Sequence, residues 1–266
     1  MISRLRRLLS PAVRVSAREV EGPPAPRETR VREDLRDIRF EPETPNVVLE
    51  GVTAERVDFS GLRFWSFTAE DCGFIDCDFS RVQVEWLPFA NGNSLFRDCR
   101  FDGAQIGDFG EVRLERCQFV DADLDGWFTF SADLVNCRFA GRLSGVVFNG
   151  RDHTGRGKNE FVGNDFREAD LDDVAFRDID LNAQLLPQGA EYIRLRDLQG
   201  RVKAVRKEVK TWPQEAARAD AEEMLRLIES VFEDEPDVFA KRSFLLEMVD
   251  SPEVGERVLE LLEHSS

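Results

Sequence analysis

From about Val47 to Leu186, apolar positions return every five residues. Each five has a large apolar residue at its centre and a small or β-branched residue two before it, with polar residues filling the rest. The phrase is plain in Val57-Asp58-Phe59, Cys72-Gly73-Phe74, Cys77-Asp78-Phe79, Cys99-Arg100-Phe101 and Cys117-Gln118-Phe119. It returns in Ala122-Asp123-Leu124, Ala132-Asp133-Leu134, Cys137-Arg138-Phe139, Asn164-Asp165-Phe166, Ala169-Asp170-Leu171 and Ile179-Asp180-Leu181. A short unit repeated this often cannot bury its own centre and must stack against its neighbours, which predicts a solenoid.

These residues resemble the pentapeptide-repeat family, whose consensus is roughly A(D/N)LXX, over about half the chain. The resemblance implies a mainly β fold: a right-handed four-sided β-helix with four pentapeptides per coil, followed here by a small C-terminal α-helical region. A coil of that kind stacks side chains twenty residues apart, as in Phe59 and Phe79. About seven coils at about 4.8 Å each make a rod roughly 34 Å long. Later steps of 22, 18, 20, 22 and 20 residues lead to Phe101, Phe119, Phe139, Phe161 and Leu181. The register therefore predicts two residues inserted around Pro88 and Asn91-Gly92-Asn93, two lost at Gly107, and two inserted after Phe139. Gly and Asn suit corners because they tolerate unusual dihedrals. Beside the Phe ladder, a second ladder is predicted through Val57, Cys77, Cys99, Cys117, Cys137, Asn159 and Ile179.

One face departs from the pattern. At Phe67/Ala69 and Trp127/Thr129 the large and small positions are exchanged. Either total volume is conserved inside, or Trp127, Phe128 and Phe130 point outward as a docking patch.

Four segments fall outside the repeat or break it. Residues 1–32 are predicted as a basic disordered tail, with a basic amphipathic helix on an anionic membrane and a transit peptide as the alternatives. Residues 33–46 are the natural N-terminal cap, leaving 47–200 as the β-helix. Residues 149–160 read as an irregular basic loop, because Arg151 and Arg156 stand where centres belong. Tyr192-Ile193-Arg194-Leu195-Arg196 look like a closing strand. The 201–266 region has helical periodicity, in stripes through Val202, Val205 and Val209, then Ala217 to Phe232, then a third helix opened by Pro236 with Phe239 and Leu245, then one N-capped by Ser251. It is predicted to cap the last coil or to dimerise.

Charge and cysteines narrow the function. The chain carries −16, distributed as +5 over residues 1–32, −14 over 33–202 and −7 over 203–266. An acidic body repels nucleic acid and attracts basic protein surfaces. All five cysteines sit two before a Phe, as small apolar core residues, and reduced thiols fit a cytoplasmic location. No Walker loop, GxGxxG, HExxH or GxSxG is present, and His153 has no partner at a motif spacing. The expectation is no enzyme, no metal and no cofactor.

The chain thus reads as a non-catalytic protein-binding or scaffold module, with a basic protein surface as partner. The resemblance implies an alternative, since some members of the family mimic DNA and modulate type II topoisomerases. A membrane-associated scaffold and a homodimer through residues 201–266 are further expectations. Candidate contacts are Trp86, Pro88, Trp127, Phe128, Phe130, Arg151, His153, Arg156 and Lys158.

Overall fold

The structure is a computed structural model and describes residues 28–265 except 87, 88, 91 and 152–156. These residues fall into two compact units, one ending at Pro187 and the other beginning at Gln188.

The first unit is a parallel β-solenoid with four sides. On the first side Thr29–Val31, Asn46–Glu50, Arg63–Glu70 and Gln83–Trp86 stack in order. The second side holds seven parallel strands, Leu35–Arg36, Thr53–Glu55, Gly73–Ile75, Ser94–Arg97, Val112–Glu115, Ala132–Val135 and Phe161–Val162. The third runs through bridges at Arg39, Asp58, Asp78, Arg100 and Gln118 into Gln118–Val120, Arg138–Ser144 and Asp165–Asp172. The fourth links Arg63, Gln83, Gln105 and Asp123. This is the architecture of a pentapeptide-repeat solenoid.

Its interior is a set of aromatic stacks. Phe59 lies on Phe79 at 4.5 Å between ring centroids, Phe79 on Phe101 at 5.1 Å, Phe101 on Phe119 at 5.0 Å and Phe119 on Phe139 at 4.9 Å. Rings from adjacent sides meet edge-on, as Phe59 meets Phe67 at 87°. Both arrangements are favoured by the ring quadrupole. The insertion before Phe96 is in place, since Phe96 stacks on Phe74, 22 residues earlier, at 4.6 Å. The compensating deletion is there too, since Phe96 opposes Leu114, 18 residues later.

The corner between the second and third sides is a column of left-handed residues. Asp37, Arg56, Asp76, Asp98, Arg116, Asn136 and Gly163 have φ between 52 and 69°. Short polar side chains enter this region at least cost. The two arginines pair within the column, Arg56 with Asp37 and Arg116 with Asp98, both at 2.6 Å.

Three expectations are corrected. First, Phe161 does not continue the Phe139 stack. Phe166 does, and Phe161 lies opposite Leu134. That step is 27 residues rather than 22, because the chain leaves the coil after Asn149 and returns only at Phe161. Leu181, twenty residues after Phe161, leaves the column with it. Likewise Asn164, not Asn159, follows Cys137 in the second ladder, and its Oδ1 accepts the Cys137 N–H at 3.0 Å. Second, residues 29–45 form a coil of their own. Thr29–Val31 and Leu35–Arg36 pair in register, and Phe40 packs on Phe59 at 5.0 Å. The expectations for residues 1–27 lie outside the described residues. Third, Tyr192–Leu195 pairs antiparallel with Val238–Lys241, so the solenoid ends before residue 200 and the strand belongs to the second unit.

That second unit packs four helices, α1 (Leu198–Val209), α2 (Glu215–Val231), α3 (Arg242–Leu246) and α4 (Pro252–His264), with the two-stranded sheet. Leu198, Val202, Val205, Met224, Leu225, Ile228, Val258 and Leu262 form its buried core. Phe239, expected on a helix, lies in the strand with its ring 5.3 Å from Tyr192. The β-branched and aromatic run Val238-Phe239 suits a strand, and the helix starts only after it. The cap at Ser251 is where the sequence places it, for its side chain accepts the Val254 N–H at the start of α4.

Candidate interaction surface

Strand alternation decides which aromatics face out. Trp127 and Thr129 point inward and are fully buried, so the exchange of large and small side chains conserves volume inside. Trp127 packs on Phe109 with centroids 4.9 Å apart, and its Nε1 has no hydrogen-bond partner. It is therefore not a contact residue. Phe128 and Phe130 alternate with it and face outward, stacked on each other at 5.6 Å and 14°. Phe128 is half-buried and Phe130 is exposed.

The second outward pair is larger. Trp65 is 47% exposed and Trp86 59%. Trp86 opposes Ser66, which sets its ring diagonally across from Trp65 at 5.9 Å and 41°. Pro45 lies beneath, its carbonyl accepting the Trp65 N–H at 2.8 Å. Pro42, Glu43, Pro45, Leu62 and Arg63 line a shallow groove of 480 Å³ beside the pair. Trp65 was not among the sequence candidates. Its signal was available, since it follows the inward Phe64 and must face outward by alternation.

The basic loop is anchored from inside. The Asn159 Nδ2 donates to the carbonyls of Asn149 at 2.9 Å, Thr129 at 3.0 Å and Phe130 at 3.2 Å. Arg151 bridges Lys158 across the base of the loop. Both side chains reach Asp178, Lys158 at 2.9 Å and Arg151 at 3.7 Å. The two cations thus neutralise one carboxylate of the solenoid. His153, Arg156 and Pro88 lie outside the described residues.

Elsewhere arginines and carboxylates pair between coils. Arg97 and Arg113 both hold Glu115, at 2.8 and 2.6 Å. Arg113 also meets Glu160 at 2.8 Å, and Arg138 meets Glu168 at 2.6 Å. Arg113, then Arg97, keeps the Glu115 carboxyl below the ordinary glutamate range. Asp108 goes the other way, pushed up by burial although Gly110 donates an N–H to it at 2.9 Å. Many outward aspartates serve the backbone: Asp58, Asp78, Asp165 and Asp180 each accept the N–H two residues on. They stabilise turns as side-chain mimics of the backbone.

The five cysteines are free and buried. The Sγ of Cys77, Cys99, Cys117 and Cys137 each donates to a carbonyl of the preceding coil, at 3.3 to 3.4 Å. Burial pushes the Cys99, Cys117 and Cys137 thiols well up. Among the described residues no group of three or more His, Cys, Asp or Glu could hold a metal ion, and no helix is long and apolar enough to cross a membrane.

No family model and no curated protein matches the chain. Among solved structures it is similar to full-length QnrB1, a plasmid-mediated fluoroquinolone resistance protein, at 18% identity over 60% of this chain and 91% of that one, with a TM-score of 0.26. It is also similar to HetL, a pentapeptide repeat protein involved in heterocyst differentiation regulation from the cyanobacterium Nostoc sp. strain PCC 7120. There the identity is 14% over 60% of this chain and 92% of that one, with a TM-score of 0.25. The assignment of the fold rests on the coils themselves.

Proposed function

We propose that this chain is a non-catalytic protein-binding module, in which a stacked-aromatic solenoid holds outward aromatic side chains in fixed positions on an acidic body. The Trp65–Trp86 pair carries this reading. A chain that buries Trp127 and Trp212 leaves these two exposed side by side, and clustered exposed aromatics mark contact surfaces. Phe128 and Phe130 form a second, smaller contact on the same reading.

The test compares wild type with the Trp65→Ala/Trp86→Ala double variant in affinity capture followed by mass spectrometry. A partner recovered by wild type and lost by the variant, at unchanged circular dichroism, supports the reading. Equal recovery removes the tryptophan pair from it.

The net charge of −16 favours a second reading, an acidic body that occupies a basic groove such as that of a type II topoisomerase. The interleaved arginines at Glu115, Glu160 and Glu168 argue against a continuous negative stripe. A gyrase supercoiling assay decides it: unchanged supercoiling at micromolar protein eliminates the topoisomerase reading. For self-association through residues 201–266, no large apolar side chain is exposed among the described residues of that region.

A further inference from the structure

We propose that the Trp65–Trp86 surface seats an arginine side chain of a partner protein, its guanidinium lying on the indoles and bonded to Glu85. The proposal rests on the reading of this pair as a binding surface and names the group that the surface takes.

The register brings a carboxylate to the pair. Phe64 opposes Val84 and Ser66 opposes Trp86. Glu85 therefore stands one coil above Trp65 in the same column, at about 4.8 Å between backbones. Pro45 stands one coil below, where its carbonyl accepts the Trp65 N–H. Trp65, Glu85 and Trp86 are all exposed. Two indoles and one carboxylate thus share one corner of the solenoid.

An indole face attracts a cation through the quadrupole of its ring. The chain itself shows the arrangement, since the Arg257 Cζ lies 3.9 Å from the centroid of the Trp212 ring. Among the described residues no cation lies in this way over Trp65 or Trp86. A cation held between two rings needs about twice that spacing from ring to ring. The Trp65 and Trp86 centroids are 5.9 Å apart, too close for a guest between them, so the cation lies across their open faces. A guanidinium suits this better than an ammonium. It is flat, stacks on aromatic faces and is more weakly hydrated. Its outer N–H groups remain free to donate to a carboxylate beside the ring.

Charge agrees. Glu115, Glu160 and Glu168 are each held by arginines of the solenoid, whereas Glu85 has no ion pair among the described residues. Arg39, which lines the groove beside the pair, is already bound to Asp58. The unpaired charges of the groove and the pair are then Glu41, Glu43 and Glu85 against Arg63. Arg63 stands two residues before Trp65 and opposes Gln83. The balance is negative at the pair and −16 over the chain, so local and long-range attraction both favour a basic partner.

The indole N–H signals in an NMR titration of the full chain read this directly, because Trp127 and Trp212 are buried and serve as internal controls. The probe is a blocked Ser-Gly-Arg-Gly-Ser peptide. Beside it stand the same peptide with citrulline, which keeps the shape of arginine without its charge, and the same peptide with lysine. The arginine peptide should shift the Trp65 and Trp86 signals saturably and leave Trp127 and Trp212 in place. It should bind about three-fold more tightly than either of the others. Glu85→Gln, an isosteric change at an exposed position, should weaken the arginine peptide about three-fold. Trp86→Ala, read at the Trp65 signal, should weaken it as well. Equal shifts from the arginine and citrulline peptides, or unchanged affinity in Glu85→Gln, overturn the proposal and leave the pair as an apolar contact. A lysine peptide that binds as tightly as the arginine one overturns the choice of guanidinium, and the absence of any saturable shift overturns the proposal outright. The binding-surface reading fails separately, in the capture experiment with the double alanine variant.

Discussion

Phe139 and Phe166 stack with ring centroids 4.7 Å apart and planes within 6°, although 27 residues separate them. Phe161, which a simple count puts in that stack, instead opposes Leu134 on the neighbouring side. The difference is measurable. Phe139→Ala should cost about 3–5 kcal/mol as a buried aromatic truncation. In a double-mutant cycle by urea denaturation, Phe139→Ala with Phe166→Ala should show a coupling of about 0.5–3 kcal/mol. Phe139→Ala with Phe161→Ala should couple less, because these two rings meet only through Phe148 and Phe166. The reverse pattern would restore the simple count.

Trp127 lies in the core with its Nε1 lacking a partner. Trp127→Phe removes that unsatisfied N–H, which offsets the lost contact area. The expected change is within about 1 kcal/mol, against about 3–5 kcal/mol for Trp127→Ala. A large loss for Trp127→Phe in a chemical denaturation series would mean that the indole nitrogen is bonded.

Asn164 replaces cysteine in the inner ladder and does more than fill space. Besides accepting from Cys137, its Nδ2 donates to the Leu134 carbonyl at 3.0 Å. Asn164→Ala leaves the buried Cys137 N–H unpaired, at about 1–3 kcal/mol, and removes a second donor from the Leu134 carbonyl. Cys117→Ala removes only a weak donor from a position that alanine fills elsewhere in the repeat, and should cost about 1 kcal/mol. Thermal unfolding of the two variants should rank them in that order.

The native thiols should also be inert. Burial disfavours the thiolate, which is the reactive form. A thiol-reactive dye should label Cys99, Cys117 and Cys137 only on unfolding, followed by mass spectrometry of peptides. Fast labelling of folded protein would contradict the sealed core.

Asp108 and Glu115 give opposite pH dependences. Burial raises the Asp108 carboxyl, so the folded chain holds its proton more tightly than the unfolded chain. The stability tied to it is full below the unfolded value and is lost as pH rises through the raised folded value. Glu115 is held low by Arg113 and Arg97, so its contribution is present above the unfolded value and lost as pH falls through the folded one. Asp108→Asn keeps an oxygen for the Gly110 N–H and removes the charge. Its melting temperature should exceed wild type at neutral pH, and the gap should close as the pH falls through the carboxylate range.

Much of this was legible beforehand. The five-residue period located the Phe stacks, the burial of every cysteine, and the insertion and deletion around Phe96 and Phe109. It worked because each centre contacts its equivalents one coil away, so sequence spacing translates directly into height along the solenoid. The count failed where the chain leaves the coil between Asn149 and Phe161, since an excursion of any length can return to the same strand position. It also failed at residues 29–45, where paired backbone rather than a recognisable phrase makes the coil. In the second unit, the helical stripe of α2 was visible, whereas Val238–Lys241 was not, because a short apolar run reads equally well as strand or helix.

The sequence alone thus determined the solenoid, its aromatic interior and its acidic balance, all of which follow from local spacing and composition. Tertiary structure decided which coil Phe166 joins, that Trp127 turns inward, that Trp65 and Trp86 meet as a pair, and that Arg151 and Lys158 converge on Asp178. Those outcomes depend on how an insertion closes, how volumes are shared across a packed interior, and which charges come within bonding distance. None of these is a property of neighbouring residues in the chain.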